Sequence, residues 1–161
     1  MLSVSQLTRF SQRFGRYYAQ CFTPLLERTG LTMREIHVLL FLANHPGQDT
    51  AREVVECRGL AKSQVSQAVE VLAGRGVLER RADGGDRRVV HLAITGAGAP
   101  LAREAQEIQA ACGRELLSGL TEEEQASFRR LLSKVLERTE TVLSSAAGSA
   151  AANSEEGAQT T

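Results

Sequence analysis

The chain contains no tryptophan, and only two tyrosines and five phenylalanines among its 161 residues. Proteins that hold single-stranded nucleic acid on aromatic platforms need more stacking surface than that. The three cysteines, Cys21, Cys57 and Cys112, are too dispersed for a metal cluster and too few for a disulfide framework, which suits a reducing compartment. The histidines, His37, His45 and His91, do not fall at ligand spacing. No His-Glu-x-x-His pair, phosphate-cradling glycine loop or Gly-x-Ser-x-Gly turn is present. No enzyme activity, metal or cofactor is therefore expected. No apolar run reaches the roughly 18 residues that a membrane span needs. The opening MLSVSQLTRF lacks the apolar stretch of a signal peptide, so the expected location is cytoplasmic. Net charge is zero and hydrophobic residues make up 42% of the chain, an ordinary globular balance that names no partner.

The distribution of charge is more informative. Residues 58–91 carry seven basic and four acidic side chains, whereas residues 121–161 carry four basic and seven acidic. A basic centre beside an acidic end fits a chain that presents its middle to a polyanion. On charge alone, a solvated surface explains it equally well.

Apolar periodicity predicts helices. Leu7, Phe10, Phe14, Tyr18, Cys21 and Leu25 recur every three or four positions, a helix from about Ser5 into the twenties. Pro24 threatens its last turn, and Gly30 is a natural stop. Thr32-Met33-Arg34-Glu35, Thr50-Ala51-Arg52-Glu53 and Thr121-Glu122-Glu123-Glu124 read as capping boxes, each opening a helix. A helix with Val65, Val69 and Leu72 inward ends near Gly74–Gly76. Two β-compatible runs, Val77–Arg81 and Val89–Ile94, flank the turn-rich segment 82–88 and predict a hairpin. Thr95 opens a long helix in which Pro100 either occupies the first turn or bends it. A stripe from Phe128 to Leu143 is too long and apolar for a free surface helix and reads as a dimer interface. Beyond it the chain turns to Ser, Ala, Gly, Asn and Glu.

Two short helices joined by a tight turn and followed at once by a hairpin make a winged helix-turn-helix. The second helix would offer Lys62, Ser63, Gln64, Ser66 and Gln67 to a major groove. Glutamine pairs bidentately with adenine, and serine bonds base or phosphate. The hairpin would carry Arg80, Arg81, Arg87 and Arg88 to phosphates or a minor groove. The glutamines on a surface helix and the arginines on a solvated hairpin are the plainer alternatives.

The run Leu60-Ala61-Lys62-Ser63-Gln64-Val65-Ser66-Gln67-Ala68-Val69-Glu70-Val71-Leu72, continued by Gly74-Arg75-Gly76-Val77-Leu78-Glu79-Arg80, resembles the MarR family of bacterial regulators. Asp86-Arg87-Arg88 is similar to its Asp-x-Arg wing motif, and Ile94-Thr95-Gly96-Ala97-Gly98 to its Leu-Thr-x-x-Gly signature. The resemblance spans roughly residues 5–143. It implies a mainly α fold of about six helices plus one β-hairpin wing, with a helical dimerisation lobe built from both chain ends. Residues 1–30 and 95–147 would form that lobe, 31–94 the DNA-binding domain and 148–161 a disordered tail. The implied function is a ligand-responsive repressor that binds double-stranded DNA at a pseudo-palindromic operator as a homodimer. Arg88 would enter the minor groove, with Asp86 holding its guanidinium. A small aromatic effector would sit in a cleft for which Tyr17, Tyr18, His37 and Phe41 are the candidates. The chain departs from the pattern at Ala61, where a capping Ser or Thr is usual, leaving Gln64 or Ser63 to compensate. It departs again at Arg58, where a buried Leu is common. Two other readings stay open: a thiol-redox regulator of the same fold switched through Cys21, and a winged-helix protein-interaction module.

Overall fold

The computed structural model describes residues 3–86 and 89–156, with side chains through Leu143. Eight elements follow in order: α1 (Val4–Thr29), α2 (Met33–Asn44), α3 (Ala51–Arg58), α4 (Lys62–Gly74), β1 (Leu78–Ala82), β2 (Val90–Ile94), α5 (Ala99–Leu116) and α6 (Glu122–Glu156). The chain divides into two compact units after Arg114.

Local signals set the element ends. The Thr50 amide donates to Glu53 Oε2 at 2.8 Å, and the Glu53 amide donates to Thr50 Oγ1 at 3.3 Å, a complete capping box. Thr121 and Glu124 repeat it at 2.8 and 3.3 Å. At α2 the Glu35 carboxylate accepts from the Thr32 amide. Ser3 and Gln6 form a further box that opens α1 one residue before the sequence reading placed it. Gly30 closes α1 with φ 64° and donates its amide to Leu26 O at 2.8 Å. α1 runs unbroken through Pro24. Pro100 takes the second position of α5, in the first turn, where its missing N–H costs nothing.

The core of the first unit gathers Phe22 and Leu25 from α1 with Ile36, Val38, Leu39, Leu40 and Phe41 from α2. Val54 of α3, Val65, Val69 and Leu72 of α4, and Leu78 and Leu92 of the hairpin complete it. Leu25 and the α4 residues Val65, Val69 and Leu72 are inward positions that the helical spacing marks, whereas Leu7, Phe10 and Phe14 of the α1 stripe stay exposed; burying one face of each helix is what folds the unit. β1 and β2 pair antiparallel, Leu78 opposite Ile94 through Ala82 opposite Val90. The hairpin has a third edge: Thr50 bridges His91, and the Leu92 amide donates to Asp49 O at 2.7 Å.

In the second unit, α6 carries Phe128, Leu131, Leu132, Val135, Leu136, Val142 and Leu143 exposed to solvent. Its backbone stays helical to Glu156, past the point near residue 148 where the sequence reading expected a disordered tail. The alanines beyond Leu143 explain that, since alanine has the strongest helix propensity. No helix among the described residues is long and apolar enough to cross a membrane.

Candidate nucleic-acid interface

α4 presents two chemically distinct faces. Val65, Ala68, Val69 and Leu72 are buried, whereas Lys62, Ser63, Ser66 and Gln67 are exposed along the N-terminal half. Ala61 supplies no side-chain cap to this helix. Gln64 replaces half of the missing box: its Oε1 accepts from the Ala61 amide at 3.1 Å. Gln64 is consequently half-buried and turned back on its own helix, which leaves Gln67 as the freer of the two glutamines.

The wing lies beside that face. Arg80 of β1 reaches Glu70 of α4 at 3.1 Å, so hairpin and helix are tied across their exposed edges. Between them runs a groove of about 350 Å³, bounded by Ser66 and Glu70 on one side and Arg80 and Val90 on the other. Arg81 pairs with Glu79 two residues away. Both guanidiniums keep exposed surface but already hold a carboxylate partner. Exposed pairs of this kind are worth little and exchange readily for another anion. Asp86 is exposed on the wing turn, where its amide donates to Asp83 Oδ1 at 2.7 Å. Arg87 and Arg88 lie outside the described residues.

Some basic residues serve the scaffold instead. Arg75 donates to Thr29 O at 2.7 Å and Gly30 O at 3.3 Å, covering carbonyls left open at the α1 C-terminus. Arg28 joins α1 to α5 through both oxygens of Glu104, at 2.5 and 2.6 Å.

The effector candidates separate. Phe41 is fully buried and its ring stacks on His45, so it offers no surface to a ligand. Tyr18 and His37 are half-buried, with ring centroids 6.3 Å apart and planes 23° from parallel. The Tyr18 hydroxyl accepts from Gln109 Nε2 at 3.0 Å. Arg58 of α3 acts electrostatically on both rings, and its Nε is buried with no hydrogen-bond partner among the described residues. Burial, with the Arg58 charge added, lowers the His37 pKa, so His37 is neutral at pH 7. The Tyr17 hydroxyl donates to Cys112 O at 3.4 Å. Cys21 is half-buried beside Tyr17 and Cys112. Burial pushes the Cys112 thiol up to about 11, so it stays protonated and unreactive at neutral pH.

The sequence reading missed two features here. The Arg80–Glu70 tie joins residues ten apart on different elements, and no local pattern reveals it. Arg58 stood out only as a cation in an apolar place, and its neighbours belong to other helices.

A MarR family model matches residues 29–89, from the last residue of α1 to the hairpin. The transcriptional repressor MprA of Escherichia coli K12 is 25% identical over 133 residues, covering 82% of this chain and 76% of that protein. Among solved structures, the complex of Staphylococcus aureus MepR with DNA aligns with a TM-score of 0.67 at 24% identity, over 85% of this chain and 98% of that one. Bordetella bronchiseptica BpsR, in a study of how 6-hydroxynicotinic acid regulates its DNA binding, aligns at 0.66 and 24%, over 81% and 98%. Element order, buried face of α4 and paired hairpin all agree with these likenesses: the chain has the winged helix-turn-helix fold of the MarR-family regulators that it resembles.

Proposed function

We propose that this protein is a ligand-responsive repressor that binds a pseudo-palindromic operator as a homodimer, reading bases with α4 and gripping phosphates with the wing. The observation that carries the reading is the exposed polar N-terminal half of α4 tied to the hairpin through Arg80 and Glu70. An α-helix fits the major groove, and an adjoining arginine-bearing ribbon reaches the flanking backbone. Arg88 is assigned to the minor groove, with Asp86 steadying its guanidinium, as in the motif they match.

Gln67 and Lys62 have separable roles. Footprinting upstream of the protein's own reading frame supplies a specific duplex. On it, Gln67→Ala is expected to lose about 1–3 kcal/mol while binding to random duplex is unchanged. Lys62→Ala should weaken both duplexes alike and reduce the salt slope by about one. Equal binding of wild-type protein to specific and random duplex, at stated salt, would overturn the reading.

The effector is assigned to the space beside Tyr18, His37 and Arg58. Two stacked rings beside a guanidinium whose buried Nε has no hydrogen-bond partner among the described residues suit a planar aromatic anion, and 6-hydroxynicotinic acid, which regulates BpsR, has that chemistry. A ligand can shift DNA binding only by its differential affinity for the two conformations. Calorimetric titration with benzoate should show binding that Arg58→Met weakens by about tenfold, the scale of one charge-assisted hydrogen bond. Equal affinity in the two proteins would remove Arg58 from the site.

A further inference from the structure

His91 lies in β2 with both ring nitrogens engaged. Nδ1 is 2.6 Å from Asp49 Oδ1, and Nε2 is 3.1 Å from Asp83 Oδ2. An ionised carboxylate can only accept, and a neutral imidazole has one donor and one acceptor nitrogen. The two contacts are satisfied together only when both nitrogens carry hydrogen. The proton does not sit on Asp83 instead. The amides of Asp86 and Gly85 donate to its Oδ1, each at 2.7 Å, and these bonds, with His91 after them, hold that carboxyl at about 2.

The two carboxylates stand on different parts of the fold. Asp49 precedes α3, and its carbonyl accepts from the Leu92 amide, so it belongs to the body of the domain. Asp83 begins the wing turn and organises it through the Gly85 and Asp86 amides. His91 therefore links body to wing turn. We propose that His91 acts as an imidazolium clamp that positions the wing for DNA, so that operator affinity falls as pH rises and the clamp loses its proton. The inference rests on the DNA-binding reading given above.

Loss of the proton leaves one nitrogen lone pair facing a carboxylate. The longer contact, to Asp83, is the one that gives way, and it is the wing's tether. Electrostatics act in the same direction. The cluster goes from one net negative charge to two, beside the phosphates the wing must approach. Among the described residues, the other charges on the elements packed against His91 are already partnered. Arg81, its register partner on β1, holds Glu79; Glu53 caps Thr50; Arg52 pairs with Glu56. Asp49 first, then Asp83, raise the imidazole pKa above its ordinary 6.5. The clamp is thus complete below pH 6.5 and lost as pH climbs through the raised value. His37, lowered by burial, titrates on the other side of 6.5 and cannot produce this change.

The test is fluorescence anisotropy on the specific duplex from pH 6 to 9 at constant ionic strength. Wild-type affinity is expected to fall by about tenfold across that range, the equivalent of one pKa unit of differential interaction. His91→Gln, which cannot donate from two nitrogens held at fixed ring geometry, should bind at the weak level throughout with the slope removed. A wild-type slope in His91→Gln overturns the proposal. A second readout needs no DNA: in the ¹⁵N spectrum at pH 6.5, both His91 nitrogens should be protonated, and a single neutral tautomer there also overturns it. Failure of the wild-type protein to prefer any duplex at pH 6 would count against the DNA-binding reading itself. The nitrogen spectrum would then decide the clamp alone.

Discussion

Gly98→Ala is expected to lower the melting temperature by about 6–12 °C, the effect of about 3 kcal/mol on a chain of this size. The reason is a close approach. A Cβ at Gly98 would lie 2.2 Å from the carbonyl oxygen of Val77 and 3.0 Å from Val77 Cγ1. That oxygen cannot move aside freely, because it accepts the Thr95 amide at 3.0 Å. Thr95 is pinned in turn: its hydroxyl donates to Gly76 O at 2.6 Å and accepts from the Gly98 amide at 3.0 Å. The joint fixes the base of the wing to the start of α5, and it gives a physical reason for glycine in the Leu-Thr-x-x-Gly signature. Relief requires a backbone shift at the point where hairpin and helix meet, which places the cost at the upper end of the overpacking range, about 1–3 kcal/mol. Gly96→Ala is the control: nothing lies within 4 Å of its Cβ position, and its effect should stay within about 0.5 kcal/mol. Thermal unfolding followed by circular dichroism compares the two. Equal melting temperatures would mean that the Val77–Gly98 approach is not tight in solution.

Such joints show what a sequence displays and what it hides. The capping boxes at Thr50 and Thr121 and the inward stripe of α4 are written within four residues of each other, in the side chains that make the contacts. They were legible for that reason. The half-box at α4 was also legible, because Gln64 sits three residues from the amide it satisfies. Relations that depend on the path of the chain were not. Nothing near Asp49 marks its carboxylate as a partner of His91, 42 residues away, or Thr50 as that residue's bridge partner, so the hairpin's third edge went unread. Arg75 counted among the seven basic residues of the central stretch, yet its hydrogens go to carbonyls 45 and 46 residues back. Phe41 was one of the cleft candidates, yet it is fully buried in the core. Periodicity marks which face of a helix is buried, but not which neighbouring element covers it.

The exposed face of α6 leads to the other large effect. Not one residue from Glu122 to Leu143 is buried, although Leu131, Leu132, Val135 and Leu136 fall on adjacent turns and Leu131 is 53% exposed. Burying each such side chain is worth about 1.5–3 kcal/mol, so a stripe of this length left in water is a strong drive to associate. α1 shows the same pattern at its start, with Leu7, Phe10 and Phe14 exposed. In the homodimer proposed above, a second copy of the chain would bring two such stripes together, and a two-fold axis would present two recognition helices about 34–36 Å apart, one turn of DNA. Leu132→Glu with Leu136→Glu would place four carboxylates in that interface per dimer, each costing several kcal/mol to desolvate. Wild type is expected to sediment as the proposed dimer, and the double variant as a monomer at the same concentration. Its first unit should keep its fold, because neither residue belongs to that core. Operator affinity should fall by on the order of 100-fold, since each half-site must then be bound without the effective concentration that linkage provides. Binding to an isolated half-site should be nearly unchanged. Sedimentation and anisotropy on full and half operators separate these outcomes. A double variant that stays dimeric and keeps its operator affinity would place the interface on another face.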